Sequence, residues 1–377
     1  MLASLIIYRV NYLSNMLLCW RVRRSSMKNG SYFRSQFAGP RLCAGVLIVL
    51  ALFGASGCSR FVKRDVAVPS LLSPLVEADT NQLLEEVNRL AQVRSLRGKI
   101  DIQFLDNSFA KCGIAERYRT AEGDVILERP GHVYLVIQAP FVGTKIAEMA
   151  SDGERFQVAV YQGDEKYRRF VRGTNSANYK RLEGSAALDA DCDENGKKKT
   201  AMAQQRQVGA LSGLRPQHFT DALLVPAVAA SNANLIYAKS EAFVEELDER
   251  PRAKRGARVV RGFYVLDELQ SEGEARARLL RRLWFDRFGG IRLARLQNFD
   301  ERGQLITDVV YRNSQKFGEE GNYTLPASIE LTRPQDRYSL RVTYQMPGEV
   351  RVDRDWPPET FTLENKTSLQ EVDLDKE

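Results

Sequence analysis

Histidine is nearly absent: the 377 residues hold two, His132 and His218. Much of the usual equipment for acid–base catalysis near neutral pH and for transition-metal binding goes with it. No Gly-x-Ser-x-Gly, phosphate-loop or His-Glu-x-x-His pattern occurs, and no dense cysteine–histidine cluster. Carboxylates such as Asp101, Glu116, Asp267 and Asp286 occupy the polar positions of alternating stretches, where a solvated sheet face accounts for them. No enzyme, no cofactor and no metal site is therefore expected, although an acid pair assembled from distant strands would leave no trace in the sequence. The acidic segment Asp191 to Gly196 copies the first half of a calcium loop. Its second half fails, with Lys197, Lys198 and Lys199 following and Met202 where a bidentate Glu belongs, so a polar surface loop is expected.

Long apolar runs are also missing. The longest, Leu42 to Phe53, is about 12 residues, short of the ~20 that span a bilayer as a helix. It is instead of signal-peptide length, with Lys28, Arg34 and Arg41 as a basic flank and Ala55-Ser56-Gly57 as a small-residue cleavage site before Cys58. Small residues before a cysteine are what a lipoprotein signal peptidase requires, so Cys58 is expected to carry the lipid anchor. Ala55 departs from the usual Leu, and an ordinary secretory signal or short anchor with a chance cysteine is the alternative. Met27 is expected as the true start, with the earlier residues a mis-called extension. The leader would be 1–57.

Acidic residues are absent from that leader, which holds Arg9, Arg21, Arg23, Arg24, Lys28, Arg34 and Arg41. The whole chain carries 55 basic and 48 acidic residues, so without the leader the two signs balance. A nucleic-acid surface needs excess positive charge in the folded domain, and that class is excluded. Of five cysteines, Cys112 and Cys192 alone remain beside Cys58. In an oxidising compartment they could pair, and two free thiols are an equal alternative.

What remains is mostly alternation. Ser59 to Glu77, with Pro69 and Pro74, reads as a tether (58–78). Leu83, Leu84, Val87, Leu90 and Ala91 at helical spacing predict a helix capped by Asp79 or Thr80 and ended by Arg97-Gly98. Strands are expected from Leu96, near Glu116 to Ala121, at Val125 to Leu127, Val133 to Gln138, Lys145 to Ala150 and Arg155 to Tyr161, forming an antiparallel meander. A polar insert follows at about 175–214, then a partly helical apolar segment, Pro216 to Ala230. Strands resume at Ala242 to Leu247, Arg258 to Leu269, Ala277 to Phe288, Ile291 to Phe299, Leu305 to Arg312 and Ser328 to Thr332. Arg337 to Met346 has the cleanest alternation, with Tyr338, Leu340, Val342, Tyr344 and Met346 on one face. Residues 366–377 read as a polar tail. A sheet with one apolar face must cover it, and two helices would cover so many strands incompletely. A fully packed sandwich or barrel is the alternative that alternation alone favours.

These segments, in order, resemble the LolA/LolB group of periplasmic lipoprotein carriers and receptors. The pieces are Leu96-Arg97-Gly98, Leu127 to Gly131, Val133 to Ile137, Ser151-Asp152-Gly153, Leu325 to Ile329 and Pro357 to Phe361, and the likeness covers residues 79–365. It implies a mainly β, α+β fold: an open, strongly curved antiparallel sheet, an incomplete barrel, closed by helices around a cavity for acyl chains. It implies an outer-membrane, periplasm-facing protein that receives or shuttles lipoproteins or lipids, with a LolA-type carrier as a partner. Gln138 to Lys145 resembles the receptor loop that helps insert lipoproteins into the membrane. The matching residues are Pro140, Phe141, Val142 and Gly143, with one residue more than the family pattern and Phe141 or Val142 as the projecting side chain. A buried turn is the alternative. Family carriers hold their lid with an early-strand arginine, and Arg117, Arg119 and Arg129 lie in the comparable region without a motif to choose among them. An RseB-type envelope sensor on the same fold, or a structural envelope lipoprotein without ligand, are the competing functions.

Overall fold

A single sheet takes up most of the folded chain. The computed structural model describes residues 68–106, 116–117, 120–162, 165, 168–177, 216–229, 232–273, 276–336 and 338–376. All of these lie in the unit Val68–Glu377. The leader, Cys58, Arg119, Cys112, Cys192, the Asp191 segment and nearly all of the 175–214 insert lie outside the described residues.

The first half of the chain supplies β1 (Ser70–Leu71), α1 (Thr80–Ala91), β2 (Ser95–Asp106), β3 (Glu116–Arg117), β4 (Ala121–Glu128), β5 (His132–Gln138), β6 (Lys145–Asp152), β7 (Arg155–Val160), β8 (Arg169–Thr174) and α2 (Pro216–Leu223). The second supplies β9 (Leu235–Leu247), β10 (Arg258–Ser271), β11 (Ala277–Asp286), β12 (Arg292–Phe299), β13 (Leu305–Phe317), β14 (Tyr323–Arg333), β15 (Tyr338–Tyr344), β16 (Arg351–Val352) and β17 (Gln370–Asp373). Consecutive strands pair antiparallel from β4 to β8 and from β9 to β15, and β2 joins the two runs by pairing with β4 on one side and β15 on the other. Two short strands add in parallel, β1 beside β10 and β17 beside β8. The result is a large, curved, open sheet that does not close into a barrel, with two α-helices among the described residues.

One face carries the core. Ile100, Ile102, Val125, Leu127, Leu135, Val158, Leu266, Phe285, Val309, Ile329, Leu340 and Val342 all lie on it and are buried together with both helices. The Arg337 to Met346 alternation holds for Tyr338, Leu340, Val342 and Tyr344, but Met346 is beyond the strand end and exposed. The opposite face is laced by arginine–carboxylate pairs between neighbouring strands: Arg282–Asp267, Arg295–Asp308 and Arg341–Glu330. Asp267 is thus half of an ion pair, and Asp286 pairs with Arg261.

Several expectations need correction. The helix ends at Ala91 with Gln92 as its C-cap, and Arg97-Gly98 already belong to β2. Gly98 stands there because a Cβ would come within 2.8 Å of Val350 Cγ2. The described part of the expected tether is no tether. Ser70 and Leu71 pair with Val259 and Val260, Leu75 bridges Phe288, and Leu72 is buried. Glu77 is gripped by Arg287 and by the Tyr264 hydroxyl. The expected C-terminal tail instead forms β17, and Leu369 packs with Ala159 and Phe170 on the face away from the helices. β8 has no counterpart among the expected strands.

Candidate functional site

The helices form a roof over the apolar face. Asp79 caps α1: its carboxylate accepts from Gln82 N at 2.9 Å, and Gln82 Oε1 accepts from Asp79 N at 2.9 Å. This reciprocal box satisfies two donors that the first turn leaves unpaired. Leu83, Leu84, Val87 and Leu90 recur every three or four residues and are buried. Each such side chain contributes on the order of 1.5–3 kcal/mol. Pro216 starts α2, where its missing N–H costs nothing. Phe219 and Ala222 are wholly buried, and His218 Nδ1 lies 2.7 Å from the Tyr338 hydroxyl. Beyond Leu223 the chain stays buried through Leu224, Val225 and Val228 without helix, Pro226 preventing its continuation. α1 lies against β12, and α2 against β5, β6 and β14.

Several directional bonds fasten this roof, among them one from Arg89 Nη1 of α1 to Thr324 O of β14 at 2.9 Å. Arg129, one residue past β4, donates from Nε to Val93 O (2.9 Å), just after α1, and from Nη2 to Val225 O (2.7 Å), just after α2. Burial holds its pKa below the ordinary arginine value, yet a guanidinium stays charged. Asn88 of α1 accepts from Val228 N at 3.0 Å. Of the three arginines in the expected region, the structure thus assigns a fastening position to Arg129. No sequence pattern separates it from Arg117, because the carbonyls it binds follow elements 36 and 96 residues away.

Where the two helices meet the sheet, Leu90, Leu223, Val225, Phe317, Leu325 and Tyr344 enclose a cavity of about 20 Å³. Such a space holds about one water, so the expected acyl cavity is closed here. The Tyr344 and Tyr311 hydroxyls are buried and meet no hydrogen-bond partner among the described residues. Burial pushes both pKa values up, with Asp221 adding to the shift at Tyr311. Asp221 is itself raised by the desolvating surroundings of the roof, against the pull of Arg333, although its side chain reaches solvent.

The Pro140 to Gly143 loop is the hairpin tip between β5 and β6. Ala139 N donates to Thr144 O (2.9 Å) and Gly143 N to Ala139 O (3.1 Å). Phe141 is fully exposed, with φ at 66°, and Val142 is 77% exposed. A register shift between Ile137 and Gln138 sets Gln138 opposite Lys145 and brings Lys145 onto Glu148 at 2.5 Å. Burial alone would raise the Glu148 pKa, but hydrogen bonds from Lys145, Tyr161 and Tyr134 outweigh it and hold it below the usual value. Tyr134 is pushed up to about 12 by burial and by that carboxylate. The tip follows Gln138, which pairs near the start of β4, whereas Arg129 follows its end. Tip and fastening therefore sit at opposite ends of the strands.

Among the described residues no three of His, Cys, Asp and Glu converge as a metal site would need, and no helix is long and apolar enough to cross a membrane. No family model matches the chain, and no curated protein does. Among solved structures, a DUF1329 family protein from Desulfovibrio piger is 12% identical, covering 77% of this chain and 97% of its own, with a TM-score of 0.35. A LolA superfamily protein from Nitrosomonas europaea is 13% identical, covering 76% and 99%, with a TM-score of 0.33. An outer membrane lipoprotein-sorting protein domain from Vibrio parahaemolyticus, so described, is 12% identical, covering 77% and 99%, also at 0.33. Scores this low attach the chain to none of them.

Proposed function

We propose that this is a lipid-binding protein of the bacterial envelope, anchored through Cys58, whose apolar sheet face receives acyl chains when the α1–α2 roof lifts. The observation that carries this is the mismatch in cover. A continuous apolar face running across the sheet from β8 through β2 to β10 is roofed, among the described residues, by helices of 12 and 8 residues, joined at their ends by one arginine. A ligand would displace the roof rather than fill a vacancy. Burial of an acyl chain contributes about 0.8 kcal/mol per methylene, enough for a long chain to offset the loss of the Arg129 bonds. Transfer then needs no fuel, only a competing apolar surface on a carrier or a membrane. The Phe141–Val142 tip supplies a side-chain pair suited to the headgroup boundary, and lipoproteins or lipids at the outer membrane are the cargo.

The small closed cavity favours a second reading, a structural envelope lipoprotein without ligand. Native mass spectrometry of the full chain from a bacterial envelope separates the two. Acyl ligand retained by wild type or by an Arg129→Met variant supports binding. Its absence from both, together with no uptake of a fluorescent fatty acid, overturns the proposal in favour of the structural role.

A further inference from the structure

The sheet leaves an unusual edge. β9 pairs with β10 along its whole length, Leu235 opposite Gln270 through Leu247 opposite Arg258, without a register break. Among the described strands none lies on its other side. Natural edges are guarded by shortness, proline, a bulge or outward charge, above all lysine. β9 is 13 residues long, against a usual five or six. It has no proline and no bulge. Ile236, Phe243, Val244 and Leu247 are 46%, 54%, 39% and 57% exposed.

Its four charges do not guard it either, because each is engaged within the chain. Lys239 Nζ bonds Ala78 O and sits 3.9 Å over the Tyr264 ring. Glu241 holds Arg287 at 2.8 Å, Glu245 pairs with Arg258, and Glu246 pairs with Arg261. What faces outward is a long row of backbone groups flanked by apolar side chains.

We propose that a second copy of this chain pairs on β9, antiparallel, about a two-fold axis at Ser240. A two-fold perpendicular to the sheet keeps each residue on its own face, so the axis must pass through a residue. With the axis at Ser240, Tyr237 faces Phe243, Ile236 faces Val244, Ala238 faces Ala242 and Lys239 faces Glu241 of the other copy. The first two are aromatic and β-branched pairings that stabilise neighbouring strands, while Lys239 and Glu241, each held within its own copy, bring no like charges together. The neighbouring registers fail. An axis at Lys239 or Glu241 sets that charge against itself, one at Phe243 sets Glu241 against Glu245, and one at Ala242 sets Glu241 against Phe243 and Ala238 against Glu246. The product is a sheet continuous across two subunits, with both apolar edges covered. It does not depend on the lipid-binding proposal.

Single cysteines in the full chain carrying Cys19→Ser, Cys43→Ser, Cys58→Ser, Cys112→Ser and Cys192→Ser test the register. Ser240 is exposed, so Ser240→Cys leaves the fold intact, and oxidation or a short thiol-reactive linker should join two copies. Ala238→Cys and Ala242→Cys should each form no covalent link alone and cross-link when mixed. Sedimentation of the unmodified chain should give twice the monomer mass, falling to one on Val244→Lys. A monomer at the highest soluble concentration overturns the proposal. So does Ala242→Cys joining to itself as readily as Ser240→Cys, or a β9 edge that captures only a different protein.

Discussion

Replacing Arg129 with Met keeps the aliphatic stem and removes both bonds to the roof. Each is a hydrogen bond from a charged donor to a main-chain carbonyl, at 2.9 and 2.7 Å. Bonds of that kind contribute roughly 1.5–3 kcal/mol each when buried. Arg129 is half-buried, and water can reach part of what it leaves behind. A net loss of about 2–3 kcal/mol for the closed roof is the expected magnitude. At tenfold per 1.4 kcal/mol, the open population rises roughly 30- to 140-fold. Hydrogen exchange read by mass spectrometry should show faster exchange in peptides covering 80–91 and 216–228. Peptides from β12 to β14 should keep their protection, and uptake of a fluorescent fatty acid should quicken in parallel. Arg129→Lys should fall between the two, since an ammonium can hold one carbonyl but cannot fork to both. Unchanged exchange in both helices would refute the fastening. Equal loss of protection across sheet and helices would show that Arg129 supports the fold as a whole.

Phe141→Glu and Val142→Glu remove exposed side chains and should change stability by less than about 0.5 kcal/mol. Binding to phospholipid vesicles should fall while fatty-acid uptake is kept, and unchanged vesicle flotation would exclude the tip from membrane contact. Glu148 has a lowered pKa in the folded state, so its contribution is present above the unfolded value and lost as pH falls through the folded one. Melting temperature followed downward from pH 6 should therefore drop more steeply below the usual carboxylate range in wild type than in Glu148→Gln, and parallel curves would refute the assignment. Tyr344→Phe deletes a buried hydroxyl that has no partner, and should leave stability unchanged or raise it by about 1 kcal/mol in urea unfolding. A loss of more than 1 kcal/mol would mean that the hydroxyl is satisfied.

Period-two patterning made most of the strands legible, since each has one buried face. Arg337 to Met346 is visible because its apolar residues are at every second position, and Val133 to Gln138 because its apolar run follows the Pro130-Gly131 turn. Where both faces are covered, the pattern blurs. Arg169–Thr174 reads RFVRGT, with Phe170 and Val171 both buried because Val171 faces the roof side and Phe170 faces Leu369. Its second cover comes from a segment some 200 residues later, which period alone cannot announce. β1 and β17 escape for a related reason. Each is a short parallel addition whose stability comes from the strand it joins rather than from its own alternation. α1 was legible from spacing and capping and α2 only as a partly helical apolar segment, but their fastening was not legible. Arg129 binds backbone carbonyls, so no partner residue type marks the contact.

The two faces of the sheet also divide the labour of any opening. On the outer face Arg282–Asp267, Arg295–Asp308 and Arg341–Glu330 tie β10 to β11, β12 to β13 and β14 to β15. Exposed pairs of this kind contribute only about 0–1 kcal/mol each, but they add to continuous ladders of backbone hydrogen bonds, so bending the sheet breaks many contacts together. Lifting the roof breaks fewer directional ones, among them the Arg129 fork, the Arg89 bond to Thr324 O, the Asn88–Val228 bond and the His218–Tyr338 contact. The remainder of the roof's hold is apolar burial, which has no required geometry and which an acyl chain can replace in kind. Motion should therefore concentrate in α1 and α2 while the strands stay fixed. A ligand that restores the lost apolar contact makes the open form accessible, where an empty opening would expose the whole face to water.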